Sequence, residues 1–347
     1  MSEEFLIENK LGPALRLFVH SQLFRTPPHP TQSFSNQTVI VTGANVGLGL
    51  EAARHFYRLN CARLILAVRT VSKGQAAKED IVQSIKHRTD ADTIEVWPLD
   101  LSSTPSTIAF AERVKKELPR VHALVENAGI NSKTLTLSEG IEQTMQVSVL
   151  NTFLLALSLL PKLKETAELA NSPSHLTIVT SEAHRLTKFT QVNALDIYES
   201  LNDDKSYNGQ KAYEISKLME ILLVRELVSR TRVDNSSSPS VVINLVNPGL
   251  CVSTLATRNE KPLAVRVIGS ILYALLSRTT EVGSRTLVLG ASAGPTSHGE
   301  YMSDGHNQDV EPWIYTDVGR RAQKKVFAQT MKVLEMRKPG IGDAIGL

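Results

Sequence analysis

The chain has 347 residues, 42% of them hydrophobic and 21% charged, with a formal net charge of +3. That apolar share supports a sizeable core and argues against general disorder, and so even a charge balance leaves no electrostatic footprint for nucleic acid. Cys61 and Cys251 are too few for a disulfide framework or a zinc cluster, so no metal and two reduced thiols are expected.

The opening Met-Ser-Glu-Glu lacks the basic segment and apolar run of a signal peptide. No stretch reads as the ~20 apolar residues that span a bilayer, and a cytoplasmic protein is expected. Residues 1–35 read as an extension. Pro13 stands where a helix can start, Leu15, Phe18, Val19 and Leu23 share one face, and Thr26-Pro27-Pro28-His29-Pro30 ends the pattern. A helix packed on the domain is favoured over a peripheral membrane or partner contact.

From residue 37 onward strand and helix patterns alternate. Strands are expected at 38–41, 63–68, 93–99, 121–125, 175–180 and 241–246, with a short seventh at 300–302. Helices are expected at 47–59, 72–88, 106–118, 139–164 and 212–230, with a lid helix at 262–276 and a terminal helix at 317–336. Apolar strands alternating with helices imply an α/β fold, a doubly wound parallel sheet (a Rossmann fold) of about seven strands with helices on both faces. The domain is expected to run over 36–305, with a substrate lid about 250–278, followed by a C-terminal helix and tail at 306–347. The long apolar helices suit a homodimer face and burial against the sheet equally well.

Ligands of such sheets bind at the carboxyl ends of the strands. The first strand runs into Thr42-Gly43-Ala44-Asn45-Val46-Gly47-Leu48-Gly49. Gly43 suits a tight turn, Gly47 lets backbone approach a pyrophosphate, and Gly49 lets the helix pack closely on the sheet. The helix start offers free N–H groups and a positive dipole end to phosphate. A carboxylate that would accept bonds from the adenosine ribose is missing after the second strand; Arg69 stands there instead. Its guanidinium, with Lys73 nearby, suits a 2′-phosphate and so NADP(H).

The spacing Gly-x-x-x-Gly-x-Gly resembles the short-chain dehydrogenase/reductase superfamily, and further motifs follow in that family's order over about residues 37–305. Asp100-Leu101 looks like its adenine-contacting turn. Asn127-Ala128-Gly129 matches its Asn-Ala-Gly motif, with Glu126 where a second Asn is common. Ser181 closes the fifth strand, Tyr213 and Lys217 match Tyr-x-x-x-Lys, and Asn247-Pro248-Gly249 closes the sixth. The run Val179 to His184 and the long interval to Tyr213 look like the retinol-dehydrogenase or WW-domain-oxidoreductase-like branch. The resemblance implies cofactor contacts from Thr42, Gly43, Asn45, Gly47, Leu48, Gly49, Asp100, Leu101, Asn127, Ala128, Gly129, Pro248 and Gly249. Ser253 stands where a threonine often sits in the loop over the nicotinamide.

Hydride transfer to a ketone leaves negative charge on its oxygen, and a proton donor must meet it. A phenol beside an ammonium suits that task. Tyr213 and Lys217 are four apart and share a helix face. The resemblance adds that the lysine also holds the nicotinamide ribose and that Ser181 positions the substrate oxygen. Tyr207 and Lys211 have the same spacing, but Asn208-Gly209 between them is a turn signal, whereas Tyr213 leads into the apolar Leu218, Ile221, Leu222 and Val224. Many relatives place an asparagine on the long fifth helix to hold a relay water; Ser148 falls there. Either Ser148 serves an altered relay, Asn151 one turn later reaches in, or redox turnover is slow or lost.

The expected function is NADP(H)-dependent hydride transfer at a carbonyl or alcohol carbon of an apolar small molecule, in the manner of a ketoreductase. Leu263, Val267, Ile271 and Leu275 on the lid favour the apolar substrate. The alternatives are a lyase, isomerase or cyclisation catalyst on the same scaffold, or a binding protein without catalysis.

Overall fold

The computed structural model describes residues 5–205, 207–231, 239–252, 273 and 275–346. Its strands are β1 (Thr38–Thr42), β2 (Arg63–Val68), β3 (Ile94–Pro98), β4 (Ala123–Glu126), a small hairpin of β5 (Leu137–Ser138) and β6 (Ile141–Glu142), then β7 (Ser174–Val179), β8 (Val241–Asn247), β9 (Tyr301–Ser303) and β10 (His306–Gln308). The helices are α1 (Leu11–Phe24), α2 (Gly47–Arg58), α3 (Val71–Ser84), α4 (Thr104–Glu117), α5 (Gln143–Ala170), α6 (Gly209–Thr231), α7 (Thr280–Gly290) and α8 (Asp317–Arg337).

Eight strands form one sheet in the order β10-β9-β8-β7-β4-β1-β2-β3. All neighbours are parallel except β9 and β10. The chain winds outward through β2 and β3, then returns to start the other half at β4, so the switch point lies between β1 and β4. Side chains alternate across the sheet. Ile40, Ile65 and Leu124 enter a core with α4, α5, α6 and α8. Val39, Val41, Leu64 and Leu66 enter a second core with α2, α3 and α7. Helices therefore cover both faces, and α5, apolar enough in length and composition for a membrane span, is 94% buried over its most apolar stretch.

Several elements differ from the sequence reading. β10 is an added antiparallel edge strand, made by the Asp304-Gly305 turn, where both residues have positive φ (55° and 83°). The long fifth helix starts at Gln143, not 139, because Glu139 and Gly140 also take positive φ and turn β5 into β6. The helix expected at 72–88 stops at Ser84; Arg88 folds back instead and donates to the carbonyls of Tyr57 and Cys61. Asn208-Gly209, expected as a turn between Tyr207 and Lys211, is the start of α6 instead: the helix opens at Gly209, the Lys211 N–H donates to Asn208 Oδ1, and Tyr207 stays outside the helix.

The extension carries the expected helix but docks by another face. Leu15 and Leu23 are exposed and Phe18 and Val19 half-buried, while Ala14 and Ser21 are buried. Polar anchoring explains this. Arg278 Nη2 donates to the Ser21 carbonyl (2.8 Å), the Arg25 carbonyl (3.0 Å) and Asp304 Oδ1 (2.6 Å), and Ser21 Oγ donates to both Asp304 oxygens. The lid helix expected at 262–276 lies outside the described residues except for Tyr273, Leu275 and Leu276.

Candidate active site

The carboxyl end of β1 and the start of α2 make the glycine turn. Thr42 Oγ1 accepts the N–H groups of Asn127 and Ala128, both at 3.0 Å, and Asn127 Nδ2 donates back to the Thr42 carbonyl (2.9 Å). This ties β1 to β4 at the switch point. Gly49 is packed so tightly that a Cβ would lie 2.5 Å from Asn127 Nδ2 and from the Gly43 carbonyl oxygen. Gly47 has φ +61° and nothing within 4 Å of where a Cβ would stand, so its backbone borders open space at the helix N-terminus. That cradle fits a diphosphate. Asn45 and Leu48 are half-buried on the same turn.

Arg69 and Lys73 are exposed just beyond β2. Asp100 is held in its own turn, its Oδ1 accepting the N–H and hydroxyl of Ser102, and Leu101 is buried beside it. Pro248 and Gly249 follow β8, where Gly249 has φ +76° and its N–H donates to Asn247 Oδ1. Ser253 lies outside the described residues.

The catalytic candidates converge beside this cradle. Lys217 is buried, and its Nζ donates to the Val179 carbonyl (2.9 Å) and to Glu220 Oε1 (2.7 Å). The same nitrogen lies 5.6 Å from the centroid of the half-buried Tyr213 ring. Thr180 Oγ1 donates to the Lys217 carbonyl, fastening α6 to the end of β7, and Ser181 follows with its Oγ accepting the Ala183 N–H. Burial works against the lysine's charge, but Glu220 and Tyr213 outweigh it and hold the ammonium above its ordinary value. Ser148 Oγ and Lys217 Nζ lie 3.5 and 3.9 Å from where a Gly129 Cβ would stand, so this glycine sits between them.

Asn151, the alternative relay residue, is engaged elsewhere. Asn151 Nδ2 donates to the Leu101 carbonyl (2.8 Å) and its Oδ1 accepts Thr104 Oγ1 (3.1 Å), so its amide is fixed away from Lys217. Ser148 is buried in a π-helical stretch of α5 (Gln146–Asn151), and its Oγ has no hydrogen-bond partner among the described residues. Tyr207, the rival phenol, donates to Glu142 Oε1 and the Ser132 carbonyl; burial, then Glu142, pushes it up to about 12.

Three features escaped the sequence reading. Glu126 and Glu220 are both buried, Glu220 paired with the lysine and Glu126 visible only as a departure from a motif. Gln22 on α1 reaches the other end of the site, its Nε2 donating to the carbonyls of Leu250 and Leu276. Burial pushes the Glu182 carboxyl up to about 7, with Asp304 adding to the rise and Arg185 and Arg278 opposing it.

A family model described as short chain dehydrogenase matches residues 37–187. A short chain dehydrogenase/reductase from Cryptosporiopsis sp. (strain 8999), dmxR8, is 42% identical over 329 residues, covering 93% of this chain and 98% of its own length. The chain belongs to the short-chain dehydrogenase/reductase family. Another such dehydrogenase, anuD from Penicillium roqueforti (strain FM164), is 37% identical over 94% of this chain and 84% of its own. Among solved structures, a short chain dehydrogenase from Shigella flexneri 2a str. 301 complexed with NADP superimposes with a TM-score of 0.55 at 19% identity, covering 80% of this chain and 100% of that one. That likeness supports the Rossmann-like fold. The short-chain dehydrogenase/reductase is an oxidoreductase by family, and the candidate site lies at the carboxyl ends of β1, β4, β7 and β8.

Proposed function

We propose that this dehydrogenase is an NADP(H)-dependent reductase of ketones or aldehydes on apolar small molecules, acting in the cytoplasm. The observation that carries the reading is the convergence of Lys217, Tyr213 and Ser181 beside the open glycine turn at the sheet's switch point. Gly43, Gly47 and Gly49 would hold the diphosphate, and Asn127, Ala128 and Gly129 would line its path. Arg69, exposed at the end of β2, is placed by sequence where a 2′-phosphate would meet it. Two structural neighbours carry NADP, one from Shigella flexneri and one from Beutenbergia cavernae. The half-exposed apolar residues Leu186 and Val252 follow Ser181 and Gly249 closely in the chain and favour an apolar substrate.

The bound nicotinamide supplies the hydride. The Tyr213 hydroxyl donates its proton to the carbonyl oxygen as charge develops there, and the Ser181 hydroxyl donates a second hydrogen bond to that oxygen. The Lys217 ammonium stabilises the phenolate left behind. The test is the loss of NADPH absorbance with a panel of apolar ketones and aldehydes, with NADH in parallel. Turnover with NADPH supports the reading. Conversion of a substrate with no nicotinamide oxidised would replace it with lyase or isomerase chemistry.

A further inference from the structure

Two carboxyl groups are buried on the sheet face that α6 covers, and the fold gives them unequal partners: Glu220 pairs with Lys217, while Glu126 registers with Ile178 on β7, one residue before the Val179 carbonyl that holds the same ammonium. Glu126 ends β4, and the alternation that carries Leu124 into the core under α5 and α6 carries Glu126 to the same face. Both its oxygens lack a hydrogen-bond partner among the described residues. Glu220, one helical turn beyond Lys217 on α6, gives Oε1 to the ammonium and has the Thr180 hydroxyl close by, while its Oε2 has no hydrogen-bond partner among the described residues. Glu126 and Glu220 are each 2% exposed.

One ammonium cannot neutralise two carboxylates. An ionised carboxylate without a donor is far costlier in a dry interior than a neutral acid. Like charges sharing a site force one of the two to keep its proton. Among the described residues, the groups that bear on the cluster are Lys217, Tyr213 and Glu220 on α6, Glu126 on β4, and the hydroxyls of Thr180 after β7 and Ser148 on α5.

We propose that Glu126 and Glu220 form a carboxylic acid–carboxylate pair behind Lys217, with Glu126 holding the proton and Glu220 the charge, and that this pair keeps Lys217 cationic and in place beside Tyr213. Both are positioning residues; neither touches substrate. Burial and then the neighbouring Glu220 carry the Glu126 carboxyl well above its ordinary value, in keeping with this assignment. Removing the Glu220 charge leaves burial to pull Lys217 down, so the ammonium is lost at lower pH. The functional half of the proposal rests on the roles given to Lys217 and Tyr213 above; the protonation half does not.

The protonation half is read without cofactor or substrate, by infrared difference spectroscopy at about pH 9, where Glu182, at about 7, is ionised. A Glu214→Gln background removes another carboxyl that burial pushes up. The carbonyl stretch of a protonated acid is expected in this background and absent after Glu126→Gln. No such band, or a band that survives Glu126→Gln, overturns the pair. Should Glu126→Gln fail to fold, Glu126→Asn serves the same comparison. For the functional half, Glu220→Gln should move the alkaline loss of kcat down by about one pH unit or more, with KM for NADPH nearly constant, while Glu126→Gln, which copies the neutral acid, leaves that limb in place. An unmoved limb in Glu220→Gln overturns the positioning role. Full turnover by Tyr213→Phe would sink the reductase reading and leave the carbonyl band untouched, so the two failures are distinguishable.

Discussion

The two halves of the sheet reach their sites by different means. On the β1–β4 side, the cradle is backbone: glycine conformations and the exchange between Thr42 and Asn127 join neighbouring strand ends. On the β7–β10 side, side chains from distant segments meet. Arg278 bonds Ser21 257 residues away, Ser21 bonds Asp304 across 283, and Gln22 bonds the Leu250 carbonyl across 228. A backbone cradle suits a constant ligand, the dinucleotide. A wall assembled from remote side chains is free to change with the substrate without disturbing the cofactor.

The sharpest separation of the halves comes from Tyr213→Phe. It should lower kcat by about 10²–10⁴-fold with NADPH affinity nearly constant, read by steady-state kinetics and nucleotide fluorescence. Equal loss of both would merge what the comparison divides. Arg278→Ala should come next. It leaves the buried Asp304 carboxylate without its cation, at a cost of about 3–5 kcal/mol, seen in the denaturant midpoint; faster proteolysis within α1 should accompany it. A midpoint shift without loosening of α1 would show that the helix is held by its apolar contacts instead. On the cofactor side, Arg69→Ala should weaken NADPH binding by about tenfold, or ~1.4 kcal/mol, and NADH binding little. Equal effects on the two nucleotides would remove the 2′-phosphate assignment.

The smallest effect near neutrality is in stability against pH. His184 lies under the substrate side, its ring 5.3 Å from that of Tyr301; burial, then Arg185, lowers it to about 3. His55, on the cofactor-side helix α2, is lowered to about 4, chiefly by burial. Both are neutral in the folded state and take up protons more readily when unfolded, where the ordinary value is 6.5. Their contribution is complete above about 6.5 and is lost as pH falls from there toward about 4 and then about 3. Urea midpoints taken across that window should fall. Replacing His184 with Asn should flatten the slope more than replacing the less buried His55, and the reverse order would mean that the cofactor side limits acid stability.

Much of this was legible in the chain because it depends on short-range chemistry. Gly43, Gly47 and Gly49 announce backbone that glycine adopts most readily or that no Cβ can enter. Tyr213 and Lys217 are joined by helical spacing alone. Ser148 was legible as a position, but its rivalry with Asn151 was not, since the Asn151 amide is decided by Leu101 and Thr104 across the core. The docking face of α1 was misread because Leu15 and Leu23 look like a core stripe, while the polar Ser21 and Gln22 hold the helix. β10 was missed because His306-Asn307-Gln308 carries no β-branched or apolar signal; it is a strand because the Asp304-Gly305 turn delivers it to the edge of β9.

The sequence by itself determined the alternating α/β order, the glycine cradle and the phenol–ammonium pair, because each is set by residues within a turn or two of one another. Only the tertiary structure decided that α1 closes over the carboxyl ends of β8 and β9, that Asn151 is fixed elsewhere, and that Glu126 and Glu220 are both buried on the face that α6 covers. Those outcomes depend on which buried charges and polar atoms share a dry space, and that is a property of packing across the chain rather than of any local run of residues.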